Sequence, residues 1–174
     1  MTQTQPTATD VGDAERTRTY TWSDQSSMHQ MARSTSGADL LAMMARGEIP
    51  YPPVADTVGL RTFEIDDTGT VVVTLEPREF HYNPLGIVHG GIIAMLLDTV
   101  AGCAVHATLP AGVGYASLDL TTKFLRPVSI RTGIVRAEGR VTNAGARISL
   151  AEARLTDEGG RLLATAISTC MTLG

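Results

Sequence analysis

The stretch His81–Asp98, HYNPLGIVHGGIIAMLLD, decides how the rest of the chain is read. Its second half continues from Ile92 to Ala107 as IIAMLLDTVAGCAVHA, where aliphatic and small side chains point in every direction around a turn of about 3.6 residues. That pattern predicts a helix enclosed by protein, and one residue inside it does not fit. Aspartate is a poor helix former, and an ionised carboxylate in apolar surroundings is costly unless something satisfies it. No lysine or arginine lies between Gly90 and Thr122 to pair with Asp98. At helical spacing to either side stand Gly91, Ala94, Ala101, Gly102 and Val105, small residues that leave room above the acid for a second backbone or a substrate.

The start of the helix supplies what an acid alone lacks. Asn83-Pro84 breaks the chain, and His89-Gly90-Gly91 opens the helix with backbone N–H groups uncovered at its positive end. Such N–H groups suit an anion or a developing oxyanion. Gly90 and Asp98 are eight residues apart, which at helical rise separates their backbones by about 12 Å. One carbonyl cannot lie within about 3 Å of both. If the two features act on one bond, the glycine of one chain must meet the aspartate of another, so the site belongs to a dimer interface and a symmetric dimer holds two.

These residues resemble the hotdog-fold acyl-CoA thioesterases of the phenylacetic-acid-pathway type. That family's pattern of Asn, His-Gly-Gly and a later acid is matched by Asn83, His89-Gly90-Gly91 and Asp98, and the likeness extends into YASLDLTTKFLRPV through Ser117 to Arg126-Pro127. It covers about Gly37 to the C-terminus. The resemblance implies that a thioester carbonyl accepts hydrogen bonds from the Gly90 or Gly91 N–H, while Asp98 of the partner chain attacks directly or activates water. It also implies that Asn83 orients the thioester or water, that Ser117 holds the water or the carboxylate, and that His89 mainly shapes the loop.

Coenzyme A would enter as part of the substrate, with no separate cofactor. Its phosphates need local cations on an acidic chain, for which Arg126 is the first choice, followed by Lys123, Arg131 and Arg147. His29, His81 and His106 have no ligand spacing between them, so no metal site is expected. Two other function classes compete. A hotdog hydratase or dehydratase has an aspartate two residues before its Asn-Pro, where this chain has His81, and a histidine closer than His89. A non-catalytic acyl-CoA binder would use the same pocket. The nature of the acyl group depends on packing of residues such as Met95, Leu96 and Leu97.

The chain has 174 residues, is 43% hydrophobic and carries a net charge of −4, which suits one globular domain and argues against nucleic acid as its main partner. Cys103 and Cys170 form no CxxC or framework spacing and read as reduced core residues of a cytoplasmic protein. No apolar leader stands at the N-terminus, and Asp98 interrupts the longest apolar run, so no membrane span is expected. Residues 1–35 are rich in Thr, Gln and Ser and read as a disordered tail, with Tyr20 and Trp22 as the exceptions.

Folded structure is expected from residue 36 to 174. Ser36 caps a short helix over Ala38–Arg46, with Asp39 in its first turn and Gly47 past its end. The PYPP that follows reads as an extended connector. Alternating segments 58–65 and 70–76 flank Asp66-Asp67-Thr68-Gly69 as a hairpin, and 117–125, 133–142, 146–156 and 161–173 are four further strands. Two strands, one long helix and four strands make an α+β chain, an antiparallel sheet of about six strands wrapped around a helix, which agrees with the hotdog fold the resemblance implies. A sheet edge paired with a second copy would hide its exposed N–H and C=O groups, which favours a homodimer or a dimer of dimers.

Overall fold

The computed structural model describes residues 15–174. Four helices, α1 (Ser26–Met31), α2 (Gly37–Ala45), α3 (Pro53–Val58) and α4 (Gly90–Ala107), accompany six strands. The strands are β1 (Leu60–Ile65), β2 (Val71–Leu75), β3 (Gly114–Phe124), β4 (Val135–Ala144), β5 (Ile148–Asp157) and β6 (Leu162–Leu173). They form one sheet in the order β1-β2-β4-β5-β6-β3, antiparallel throughout, so β1 and β3 are its edges.

The sheet curls around α4. Leu97, Val100, Ala101, Ala104 and Val105 of the helix are fully buried, as are Val71, Val73, Ala137, Ala151 and Leu155 on the strands. Alternation puts those strand residues on one face, and the small side chains on β4 and β5 allow the helix to sit close. Gly139 marks the closest approach, since a Cβ there would stand 2.4 Å from the carbonyl carbon and oxygen of Val100. By length and hydropathy alone α4 could cross a membrane, but its apolar face is packed on the sheet.

Several local expectations meet the structure closely. Ser36 Oγ accepts from the Asp39 N–H at 3.2 Å and caps α2, and Gly47 follows with φ +72°. At the β1–β2 hairpin Asp66 Oδ1 accepts from the N–H groups of Thr68 and Thr70, both at 2.9 Å, and Gly69 has φ +79°. Others need correction. The extended connector ends sooner than expected, because proline cannot continue a helix but suits its first turn, and Pro53 opens α3. Strand β1 therefore starts at Leu60, after Gly59 with φ +80°.

The tail read for residues 1–35 lies outside the described residues up to 14. Its remainder carries structure: Met28, Met31 and Ala32, on or just after α1, pack against the core. Three apolar residues over a turn of helix are too few to stand out from a Ser- and Thr-rich average. Upstream, Tyr20 and Trp22 face each other at 5.9 Å and remain exposed. Arg18 makes the attachment instead, lying 4.0 Å over the Phe80 ring and donating to the carbonyls of Asp56 and Thr57.

Candidate active site

The segment before α4 is held in place by His81. Its Nδ1 accepts from the Arg78 N–H at 2.9 Å, which leaves Nε2 to donate to the Val58 carbonyl at 2.7 Å. The ring is buried, and its own carbonyl accepts the His89 N–H at 2.8 Å. Burial first, then the charges of Arg18 and Arg78, hold the His81 pKa below the ordinary histidine value. The unfolded chain therefore binds a proton before the folded one does. Stability from this contact is complete above about pH 6.5 and is lost as pH falls from there towards the folded pKa. A His81→Asn variant should be about 1–3 kcal/mol less stable at neutral pH, and denaturant melts should show that gap narrowing in acid. A gap that widens in acid would contradict the neutral, doubly bonded ring.

Asn83 builds the next turn. Its Oδ1 accepts from the N–H groups of Leu85 at 2.9 Å and Ile87 at 3.4 Å, so its oxygen serves the loop and its amide NH2 is the end left to meet a ligand. Val88 then donates to the Val128 carbonyl at 2.8 Å, and the Tyr82 hydroxyl accepts from the Ile130 N–H at 2.8 Å. These bonds lay the Asn83 loop beside the segment that follows β3.

His89 is the N-cap of α4, and its Nδ1 accepts from the Gly91 N–H at 2.9 Å. The two glycines expected to serve as oxyanion donors thus differ. The Gly91 N–H is taken by the cap, whereas the Gly90 N–H has no acceptor among the described residues. Phe124 at the end of β3 bounds the space around Gly90, its Cζ only 3.2 Å from where a Cβ on Gly90 would stand.

Asp98 lies two turns further along α4. It is half-buried rather than enclosed, and Ser117 Oγ of β3 donates to its Oδ1 at 3.0 Å. A groove of about 390 Å³ opens at this point, lined by Ala94, Met95, Asp98, Ser117, Leu118, Asp119 and Leu120. The small-residue stripe anticipated beside the acid is therefore partly open: Gly91 is exposed, and Ala94, Met95 and Asp98 are half-exposed. The enclosed helix of the sequence analysis is enclosed on its sheet side only. Because Gly90 and Asp98 share one unbroken helix, their separation of about 12 Å stands.

The predicted cations divide into two places. Lys123 and Arg126 adjoin Phe124, and Arg131 lies in a short 3-10 turn, Ile130–Thr132, beside the Tyr82 hydroxyl. Arg126 also donates to the Leu162 carbonyl at 2.5 Å. Arg147 stands apart, in the β4–β5 turn, where its carbonyl accepts the Thr172 N–H. Phe124 pairs with Ala164, eight residues up β6 from Thr172, so Arg147 is about 26 Å along the strand from the Gly90 end.

Cys103 and Cys170 are both free thiols. Burial, reinforced by the nearby Asp98 charge, pushes the Cys103 thiol up to about 12, so it stays protonated and is a poor nucleophile. Among the described residues no three His, Cys, Asp or Glu side chains converge. Phe124 and Thr122 escaped the sequence reading. The Thr122 hydroxyl is buried without a partner among the described residues, yet a threonine in a β-strand carries no sequence signal of that kind.

The family model of the thioesterase superfamily matches residues 85–164. The crystal structure of a phenylacetic acid degradation-related protein from Ralstonia eutropha JMP134 has a TM-score of 0.67 and 34% identity, covering 75% of this chain and 98% of that one. A 1,4-dihydroxy-2-naphthoyl-CoA hydrolase from Listeria monocytogenes is 27% identical over 115 residues, 66% of this chain and 89% of the relative. A Halobacterium salinarum relative described as an esterase is 41% identical over 69 residues, and the match spans only 44% of that protein's length. Identity of 34% across nearly the whole Ralstonia protein, on the same fold, places the chain plainly: it belongs to the thioesterase superfamily of hotdog-fold proteins.

Proposed function

We propose that the protein hydrolyses an acyl-CoA thioester to a free carboxylic acid and coenzyme A, at sites shared between the two chains of a homodimer. The observation that carries this reading is the pairing of two features on α4: an N–H at Gly90 with no acceptor among the described residues, and the Asp98 carboxylate held by Ser117 in an open groove. The Listeria relative, a CoA-thioester hydrolase by name, supports the substrate class.

The chemistry follows from the groups present. The Gly90 N–H of one chain, at the positive end of its helix, receives the thioester oxygen as negative charge develops there. Asp98 of the partner either takes a proton from water, so that hydroxide adds to the carbonyl carbon, or adds its own oxygen with cleavage of the C–S bond, after which water splits the resulting anhydride to the free acid and the Asp98 carboxylate and its proton goes to the departed thiolate. In the first route the tetrahedral oxyanion collapses, the C–S bond breaks, and the leaving thiolate recovers the proton from Asp98. Ser117 fixes the carboxylate through its 3.0 Å bond, the Asn83 amide faces the thioester or water, and His89 holds the glycine turn. Lys123, Arg126 and Arg131 would meet the coenzyme phosphates.

The dimer is supported by the edge strand. Among the described residues β3 pairs only with β6, and its outer N–H and C=O groups run for 11 residues. A long unpaired edge next to a partly open helix stripe is the surface that a second copy of the same edge would cover. Such a dimer would work in the cytoplasm. The test is thiol release from a panel of acyl-CoAs. Hydrolysis of at least one well above background is expected, whereas tight binding with flat background across the panel would make the protein a binder.

A further inference from the structure

Two recesses lie along the seam between α4 and β3. The first is the Asp98 groove. The second, about 630 Å³, opens at the other half of the helix, where Met28, Leu40, Leu41 and Met44 of α1 and α2 face Cys103 and His106. His29 and Arg33 also line it, but methionine and leucine make most of its wall apolar and adaptable, as expected around a flexible hydrocarbon.

Tyr115 stands between them. It is two residues before Ser117 on β3, so both side chains face α4, and its ring lies across Gly102. A Cβ on Gly102 would be 2.5 Å from the Tyr115 hydroxyl and 3.0 Å from Cζ, so the approach requires glycine. Glycine inside a helix costs about 1 kcal/mol relative to alanine, and the contact with Tyr115 gives that cost a structural reason. The ring is also braced by His106, at 5.7 Å between centroids. Asp98 and Gly102 are four residues apart on one face, which puts Tyr115 about 6 Å beyond the acid.

We infer that Tyr115, laid across Gly102, sets the length of acyl group the Asp98 groove accepts by closing it off from the methionine-lined cleft behind. An acyl group that ends short of Gly102, a short chain or a single aromatic ring, fits in front of the tyrosine. A longer chain meets the ring and enters the cleft only when the ring is removed. This inference rests on the acyl-CoA thioesterase reading, and its test separates the two.

Thiol release would be measured for the full chain and for its Tyr115→Ala and Tyr115→Leu variants across straight-chain CoA esters from acetyl to palmitoyl. Leucine keeps the site apolar should alanine fail to fold. In parallel, calorimetry would follow binding of non-hydrolysable thioether analogues of the same lengths. The wild-type protein should favour the shorter acyl groups. The variants should raise the ratio of kcat/KM for dodecanoyl-CoA over butanoyl-CoA by about tenfold or more, with the same shift in the thioether Kd series. Adding Met44→Trp to Tyr115→Leu should fill the cleft and return the preference to short chains. Identical length profiles in wild type and Tyr115→Leu, or a wild type that takes palmitoyl-CoA as readily as butanoyl-CoA, would overturn the inference. If no ester is hydrolysed but the thioether series still shifts, the thioesterase reading fails and the role of Tyr115 in setting length stands.

Discussion

Replacing Asp98 by asparagine should lower thioester hydrolysis by at least about a hundredfold, the lower end for a positioned base and less than a lost nucleophile would cost. The substitution keeps the side chain's size and leaves an amide oxygen to accept the Ser117 hydroxyl, now 3.0 Å from the carboxylate. Folding should therefore survive, because Asp98 makes no ion pair among the described residues and is half-exposed in the single chain. Thiol-release kinetics together with a melting curve distinguish the outcomes. A folded variant with full activity removes Asp98 from the mechanism.

A loss of similar or greater size is expected for Gly90→Pro, which deletes the one N–H proposed to hold the oxyanion. Removing a single oxyanion donor costs about a hundred- to a thousandfold in kcat. The backbone accepts this change unusually well. Gly90 is the first residue of α4, where proline is favoured, and His89 before it has φ −59° and ψ +136°, the extended conformation that a following proline requires. The new ring would press on Phe124, but that side chain is 55% exposed and can move. Gly90→Ala supplies the control, adding a Cβ at the same place while keeping the N–H, so it should retain much more activity than the proline variant. Equal losses in the two would assign the effect to crowding against Phe124 rather than to the donor.

How much of this was readable beforehand depended on the range of the interactions. The cap of α2, the Asp66–Gly69 turn and the period of α4 are local, and each is written in residues within one or two turns of each other. The candidate site residues on α4 stand out for the same reason, since an acid without a cation and a glycine pair opening an apolar helix are anomalies along a single line of sequence. Long-range packing was not visible. Phe124 over Gly90 and Tyr115 over Gly102 join residues from different elements, and the glycines read only as small. In the sequence His81 only marks a departure from the hydratase pattern, which has aspartate there, while in the structure it ties the loop to Val58, 23 residues away. The identity of the Gly91 N–H as a cap partner required knowing the His89 rotamer. Periodicity reports that a helix is apolar, not which of its sides stays open, so the half-burial of Asp98 is not legible in it.

The central claim is that the site is divided between chains, and it rests on the fixed separation of Gly90 and Asp98 along α4. Subunit mixing tests this most directly. Gly90→Pro and Asp98→Asn chains, each inactive alone, would be combined under conditions that allow exchange, with mass spectrometry used to confirm mixed dimers. In a mixed dimer one site collects both substitutions, and the other is assembled from an intact Gly90 and an intact Asp98. Activity should return to about a quarter of wild type in a statistical mixture, because half the dimers are mixed and each has one good site of two. Confirmed exchange with no return of activity would show that Gly90 of one chain and Asp98 of the other do not build one site, and the division of the site would be wrong.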